Sequence, residues 1–275
     1  MPTIEFTDRD PTMRAQAATG VLVRAAAAAN RAPSVFDSQP WRWRVAGNAA
    51  ELRADRTGQP GAADPHGRLL TMSCGAALHY ARTALAGAGV LATLERLPEP
   101  SDPDLLARVR VAGFVTPGPA AIRLQRAMVL RHTDHHPVAD LAVSGAALRA
   151  LGAAAQGEGA RLYLLDASDA VTLARLTGQV GYVRCAILCA DADTPAAWLA
   201  AGEALSAVLL TATLERLAVA PMTGVVEVPA ARDLLRDPHG VGFPMLALGV
   251  GPRQRRLGGR PAPPYEHRDH PDSTR

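Results

Sequence analysis

Two short stretches carry most of the residues that could do chemistry. The first is RAPSVFDSQPWRW, residues 31–43. Here Pro33 ends an Ala-rich run, and Ser34, Asp37 and Gln39 follow within six positions, next to two of the chain's three tryptophans. A flat heteroaromatic ring needs an apolar face and a few well-placed hydrogen bonds at its edge. Ser34, Asp37 and Gln39 supply the polar groups, and Pro40 and Trp41 an apolar face; Trp43 reads as ordinary sheet core. The second stretch is RHTDHH, residues 131–136. Arg131 offers a forked donor, Thr133 a hydroxyl and His135 a ring N–H, at alternate positions. If the backbone is extended, or frayed at a helix end, the three converge on one anion such as a phosphate. The same residues also suit a polar junction facing solvent, and the segment alone does not choose between the two.

Other chemistries lack their residues. All 29 cations in the Lys+Arg count are arginine. Without lysine there is no Schiff base for pyridoxal-phosphate chemistry and no Gly-Lys-Ser/Thr phosphate loop. Adjacent His135 and His136 point in different directions, so one metal ion would not take both. Cys185 and Cys189 have no second pair to complete a zinc site, and the three cysteines make no disulfide framework. The GVG at 249–251 runs into Pro252 and arginines instead of a helix, so it is no dinucleotide fingerprint. No GxSxG elbow is present. The net charge of +3 does not imply nucleic acid, because RQRRLGGR (253–260) has no interleaved aromatic residues. No uninterrupted apolar run reaches the roughly eighteen residues of a membrane span, and MPTIEFTDRD has no signal-peptide pattern. The expectation is a cytoplasmic protein with small-molecule partners, no nucleic acid and no membrane, as monomer or homodimer.

The elements that must position these residues are those of an α+β chain. Helices are expected over 11–30, from Arg68 to about Leu91, and over 119–131, 143–155 and 229–236; another starts at Ser168 and Asp169 and runs to Gln179. The clearest begins at Thr194 and Pro195, a cap followed by a proline at the first helical position. Strands are expected over WRWRVAG (41–47), AELRAD (50–55), ARVRVAG (107–113), RLYLLD (161–166), RCAILCA (184–190) and FPMLALGV (243–250). The Pro- and Gly-rich text around 96–118 places a boundary between residues 1–115 and 116–275.

APSVFDSQPWRW resembles the APSxHNxQPWRW signature of the Acg-like branch of the FMN-dependent nitroreductase superfamily. DPHGRLLTMSCGAAL, RHTDHH, the 198–229 segment and GFPMLALGVG resemble further parts of that family, in the same order. The resemblance implies a nitroreductase-like fold in which one chain corresponds to two fused subunits with one FMN between them. Residues 1–115 would be the degenerate half, contributing Ser34, Asp37 and Gln39 to the ring side. Residues 116–275 would supply the phosphate site from Arg131, Thr133 and His135, with His267 and Arg268 from the C-terminal arm. Thr223 and Gly224, in PMTG, would approach the flavin with backbone groups. NAD(P)H would be the reductant, and nitro or quinone compounds the acceptors. Three departures stand out. Phe36-Asp37 replaces His-Asn, His135 and His267 stand where the family has permanent cations, and only VGYV joins the helix near Gln179 to the next strand, where the family has a cover for the flavin. A non-catalytic flavin binder and a flavin-free scaffold are the competing readings.

Overall fold

The computed structural model describes residues 11–59, 61, 64–131, 143–177, 184–236 and 242–252. Helix α1 (Pro11–Ala29) leads through a 3₁₀ turn (Val35–Asp37) into strands β1 (Trp41–Ala46) and β2 (Ala49–Ala54). Then come α2 (Arg68–Gly87), β3 (Val90–Arg96), β4 (Leu105–Phe114) and α3 (Pro119–Leu130). The remainder is α4 (Gly145–Gly157), β5 (Arg161–Leu164), α5 (Ala167–Thr177), β6 (Cys185–Ala190), α6 (Pro195–Leu214), β7 (Leu217–Met222), α7 (Pro229–Arg236) and β8 (Phe243–Pro252).

The strands form two separate antiparallel sheets, ordered β1-β2-β4-β3 and β5-β6-β8-β7. In the first sheet the alternation of apolar and charged residues matches the pleat. Leu52 and Val109 face the core. On the other face Arg44, Glu51, Arg108 and Glu95 line up across the four strands, with Arg108 bonded to Glu51 at 2.9 Å and to Glu95 at 3.4 Å. The second sheet is covered on both faces, so β6 and β8 read as continuous apolar runs.

Two strands are invisible to the periodicity. The helix expected to reach Leu91 stops at Gly87, because Gly89 takes a left-handed φ of 72° and packs against the Val115 carbonyl, and β3 follows. Arg216, with φ of 57°, ends α6 in the same way and releases β7. Pro221 is tolerated there because β7 is an edge strand.

Helices α2 and α6 form the centre of the molecule, between the two sheets. Seventeen of the twenty residues of α2 are buried. Helix α6 is long and apolar enough to cross a membrane, with a mean hydropathy of 1.5, but 67% of that stretch is buried inside the protein. It is the shared core helix: Leu199 and Leu210 pack with the first sheet's core, Leu205 and Val208 with the second's. The two backbones approach so closely that only glycine fits. A Cβ on Gly75 would lie 2.1 Å from the Leu199 carbonyl oxygen, and one on Gly202 would lie 1.9 Å from that of Met72.

The same seam contains a buried ionic network. Glu203 of α6 is fully buried and accepts hydrogen bonds from Arg82 Nη1 at 2.5 Å and Arg96 Nε at 2.6 Å. Arg82 also bonds Glu158 at 2.6 Å. His79 lies beside this network, its Nδ1 2.8 Å from Ser206 Oγ. Burial lowers the His79 pKa to about 4, with the nearby Glu158 carboxylate pulling the other way. His79 is therefore neutral in the folded protein.

Gly75→Ala or Gly202→Ala lowers the unfolding free energy by about 2–3 kcal/mol or abolishes folding, since rigid backbone must move. Gly152→Ala, where a Cβ in α4 meets open space, is neutral or stabilising by up to about 1 kcal/mol; urea melts compare the three. Below a pH of about 6.5 the unfolded chain takes up a proton that folded His79 refuses. Stability therefore falls as the pH drops from there towards 4, by an amount on the order of 2–3 kcal/mol for this group. Urea melts across that window show a shallower slope for His79→Gln.

Candidate functional site

A cavity of about 650 Å³ opens at one end of the α2–α6 seam. One wall is the 30–39 segment, including Arg31, Ser34, Phe36, Asp37 and Gln39. The floor is Leu69, Met72 and Ser73 of α2 with Leu205 of α6. Pro221, Thr223, Leu246 and Arg131 complete the lining. Residues from both sheets' neighbourhoods thus meet in one cleft, apolar at its base and polar at its rim. Its volume lies in the range of about 300–1,000 Å³ usual for cofactor and small-ligand sites.

The 30–39 wall is held in an unusual shape. Phe36, Asp37 and Gln39 have φ values of 55°, 53° and 45°, a region that non-glycine residues seldom occupy. Each such residue costs on the order of 1 kcal/mol, and they concentrate where a loop must present groups to a ligand. The surroundings hold the shape. The Gln39 N–H donates to Ser34 Oγ at 3.0 Å, and its side-chain Nε2 donates to the Asn30 carbonyl at 3.0 Å. The Val35 N–H donates to Ser73 Oγ at 3.1 Å, while Ser73 donates in turn to the Leu69 carbonyl at 2.8 Å. The Cys74 thiol donates to the Pro40 carbonyl at 3.1 Å. Its pKa is raised by burial, so it is a packed thiol and not a nucleophile.

Trp41 does not supply the ring face expected of it. It is buried in the core of the first sheet and donates its indole N–H to Asn30 Oδ1 at 3.3 Å. Trp43 packs against the same core. The tryptophans therefore anchor the strand that follows the loop, and the apolar surface of the cavity comes from Leu69, Met72, Leu205 and Leu246.

The opposite wall is tied to the first. Asp64 caps α2 by accepting from the Leu69 and Leu70 N–H groups at 3.1 and 2.8 Å. Arg68, the first residue of α2, donates to the Met245 carbonyl at 2.7 Å and pairs with Glu227. Glu227 also faces Arg232 at 3.5 Å. This chain of contacts fastens the turn after β7 to the N-terminal end of α2. Arg131 caps α3 and leaves the helix in extended conformation. Its Nε donates to Tyr80 Oη at 2.6 Å and its Nη2 to the Arg31 carbonyl at 3.1 Å. Burial raises the Tyr80 pKa against the opposing pull of Arg131, so the hydroxyl keeps its proton.

Of the residues singled out in the sequence, Ser34, Asp37, Gln39, Arg131 and Thr223 converge on this cavity. Gly224 lies in the adjoining turn, outside the lining. Thr133, His135, His267 and Arg268 lie outside the described residues. Arg31, Ser73, Leu205 and Leu246 line the cavity without having been singled out.

No family model matches the chain. Among curated proteins, "Putative NAD(P)H nitroreductase Rv3131" of Mycobacterium tuberculosis is 32% identical, over 87% of this chain and 86% of its own length. "Putative NAD(P)H nitroreductase acg" of the same organism is 32% identical, over 79% of this chain and 84% of its own. The chain belongs to the Acg-like nitroreductases. Solved structures similar to this Acg-like chain include Bacillus megaterium NfrA2, with 20% identity, coverage of 55% of this chain and 76% of that one, and a TM-score of 0.41. Another is a Bacteroides fragilis nitroreductase with bound FMN, with 11% identity, coverage of 54% and 97%, and a TM-score of 0.42.

In this Acg-like chain the Val35–Ser73 contact fixes the 30–39 wall to the cavity floor. Ser73→Ala leaves the buried-side Val35 N–H without its acceptor. The variant loses about 1–2 kcal/mol of stability, and hydrogen exchange at residues 34–39 speeds up relative to the sheet amides.

Proposed function

We propose that this chain is an FMN-binding oxidoreductase of the nitroreductase type, taking electrons from NAD(P)H and passing them to small nitro or quinone compounds. The observation that carries the reading is the convergence of Ser34, Asp37, Gln39, Arg131 and Thr223, from distant parts of the sequence, on one cavity of about 650 Å³. The lining fits the cofactor. An apolar base of Leu69, Met72, Leu205 and Leu246 suits a planar ring. Polar groups of the 30–39 wall suit its heteroatom edge, and Arg131 in the lining suits a phosphate.

In this reading residues 1–115 and 116–275 correspond to two fused nitroreductase-like halves. The first presents the strained 34–39 wall to the ring, and the second supplies the phosphate site. Thr133, His135, His267 and Arg268 complete that site, while Thr223 and Gly224 border the ring. When bound, FMN supplies the hydride chemistry, so no side chain need act as general base. The protein's own work is to hold the ring, exclude water from its buried face and set the local charge. Asp37 places a carboxylate where the family has an amide, which removes two donors from the ring edge.

Purified protein should be yellow, or turn yellow with added FMN, and release FMN on denaturation. NAD(P)H should bleach the flavin under anaerobic conditions, and air should restore the colour. Flavin that binds but never bleaches makes the protein a binder and not an enzyme. If FMN and riboflavin both fail to bind, the flavin reading falls. Arg131→Ala should weaken FMN binding by about ten- to a hundredfold, since a charge-assisted bond is lost; fluorescence titration reads the change.

A further inference from the structure

Phe36 stands where a large apolar side chain is not expected. It is 68% exposed and belongs to none of the core clusters, while its neighbour Val35 packs against the second sheet's core. Its φ of 55° lies in the left-handed region, which bulky residues rarely enter. The turn around it is pinned. The Asp37 N–H donates to the Ser34 carbonyl at 3.3 Å, and the Ser38 N–H to the Val35 carbonyl at 3.2 Å. Ser38 Oγ donates to that same carbonyl at 2.7 Å, and the Val35 N–H is held by Ser73. A strained but well-tied backbone thus keeps an aromatic ring out of the core. Among the described residues, that ring is also the only aromatic side chain lining the cavity of about 650 Å³. Leu69, Met72, Leu205 and Leu246, which form the apolar base, are each no more than 8% exposed. The cavity therefore has two kinds of apolar surface: a buried base that suits the cofactor's ring, and an exposed aromatic that a second, incoming molecule meets.

We propose that Phe36 is the stacking surface for the ring of an aromatic electron acceptor, and that it sets a preference for planar ring acceptors over compact, non-planar ones. This rests on the flavin reading and deepens it. The face of a benzene ring is negative, and nitro or quinone groups draw electrons out of the ring that carries them. An offset stack of the two is therefore attractive beyond the area it buries. Stacking also takes the exposed face of Phe36 out of water. Because the backbone on either side is already fixed, little freedom is lost when the acceptor binds.

The test compares FMN-loaded wild type with Phe36→Leu, which keeps apolar bulk, and Phe36→Tyr, which keeps the ring. Flavin photoreduced without air is mixed with 1,4-naphthoquinone or with ferricyanide, a compact non-planar acceptor, and its reoxidation is followed. Phe36→Leu should raise the half-saturating naphthoquinone concentration about three- to tenfold, with the maximal rate within about twofold. Ferricyanide reoxidation, FMN affinity and the rate of flavin reduction by NAD(P)H should each stay within about twofold, and Phe36→Tyr should match wild type. An NMR titration of the oxidised protein with 4-nitrobenzyl alcohol, with no reductant present, should show the same three- to tenfold loss of affinity in Phe36→Leu. Thermal melts should agree to within about 2 °C, because the ring supports no core. Unchanged naphthoquinone saturation and unchanged 4-nitrobenzyl alcohol binding overturn the role of Phe36 and leave the flavin reading intact. Weakened FMN binding, or slowing of the NAD(P)H step alone, overturns it too, by assigning the ring to the cofactor or to the nicotinamide. A wild type that binds no flavin, or whose reduced flavin passes electrons to neither acceptor, overturns both.

Discussion

The α2–α6 contact is the constraint on which the rest of this molecule depends. Gly75 and Gly202 let two long helices touch backbone to backbone, where any side chain would collide with a carbonyl. The cavity grows out of that contact. Met72 and Ser73 lie just before Gly75 on α2, and Leu205 lies just after Gly202 on α6, so the helix separation sets the width of the cavity floor. The buried Glu203 on the same helix gathers Arg82 and Arg96 from the first half of the chain. A buried ion pair adds little net stability, but losing one partner is costly. The network therefore acts chiefly to fix one register between the helices.

The strained wall and the electrostatics of the cleft follow from this frame. The wall with its three positive-φ residues is held because Ser34 and Asn30 accept from Gln39, Ser73 accepts from the Val35 N–H, and Trp41 locks the following strand into the core. The stability stored in the core is spent at the rim, where it presents Ser34, Asp37 and Gln39 in a fixed arrangement. Arg131 is positioned by Tyr80 from α2, so this part of the cleft is tied to the same helix as the floor.

Much of this was legible in the sequence, for identifiable reasons. The Thr194–Pro195 start of α6, the alternation of β1 and the apolar runs of β6 and β8 are strong local signals, and the structure has all of them. The convergence of the 34–39 loop with Arg131 was legible only through the family resemblance, because nothing local joins positions a hundred residues apart. Strands β3 and β7 were not legible. Their Ala- and Leu-rich text suits a helix, and single left-handed residues at Gly89 and Arg216 decide otherwise. The tryptophans misled for a related reason. An aromatic beside a binding loop looks like a ligand platform, but the pleat turned Trp41 towards the core.

We propose that the cleft at the end of the α2–α6 seam, lined from distant parts of the sequence, retains a phosphorylated flavin. A crystal structure of the protein soaked with riboflavin 5′-phosphate tests it most directly. The phosphate is expected beside Arg131 and the ring between the 34–39 wall and Leu246. Density for water alone in that cleft, or flavin bound elsewhere on the surface, would contradict it.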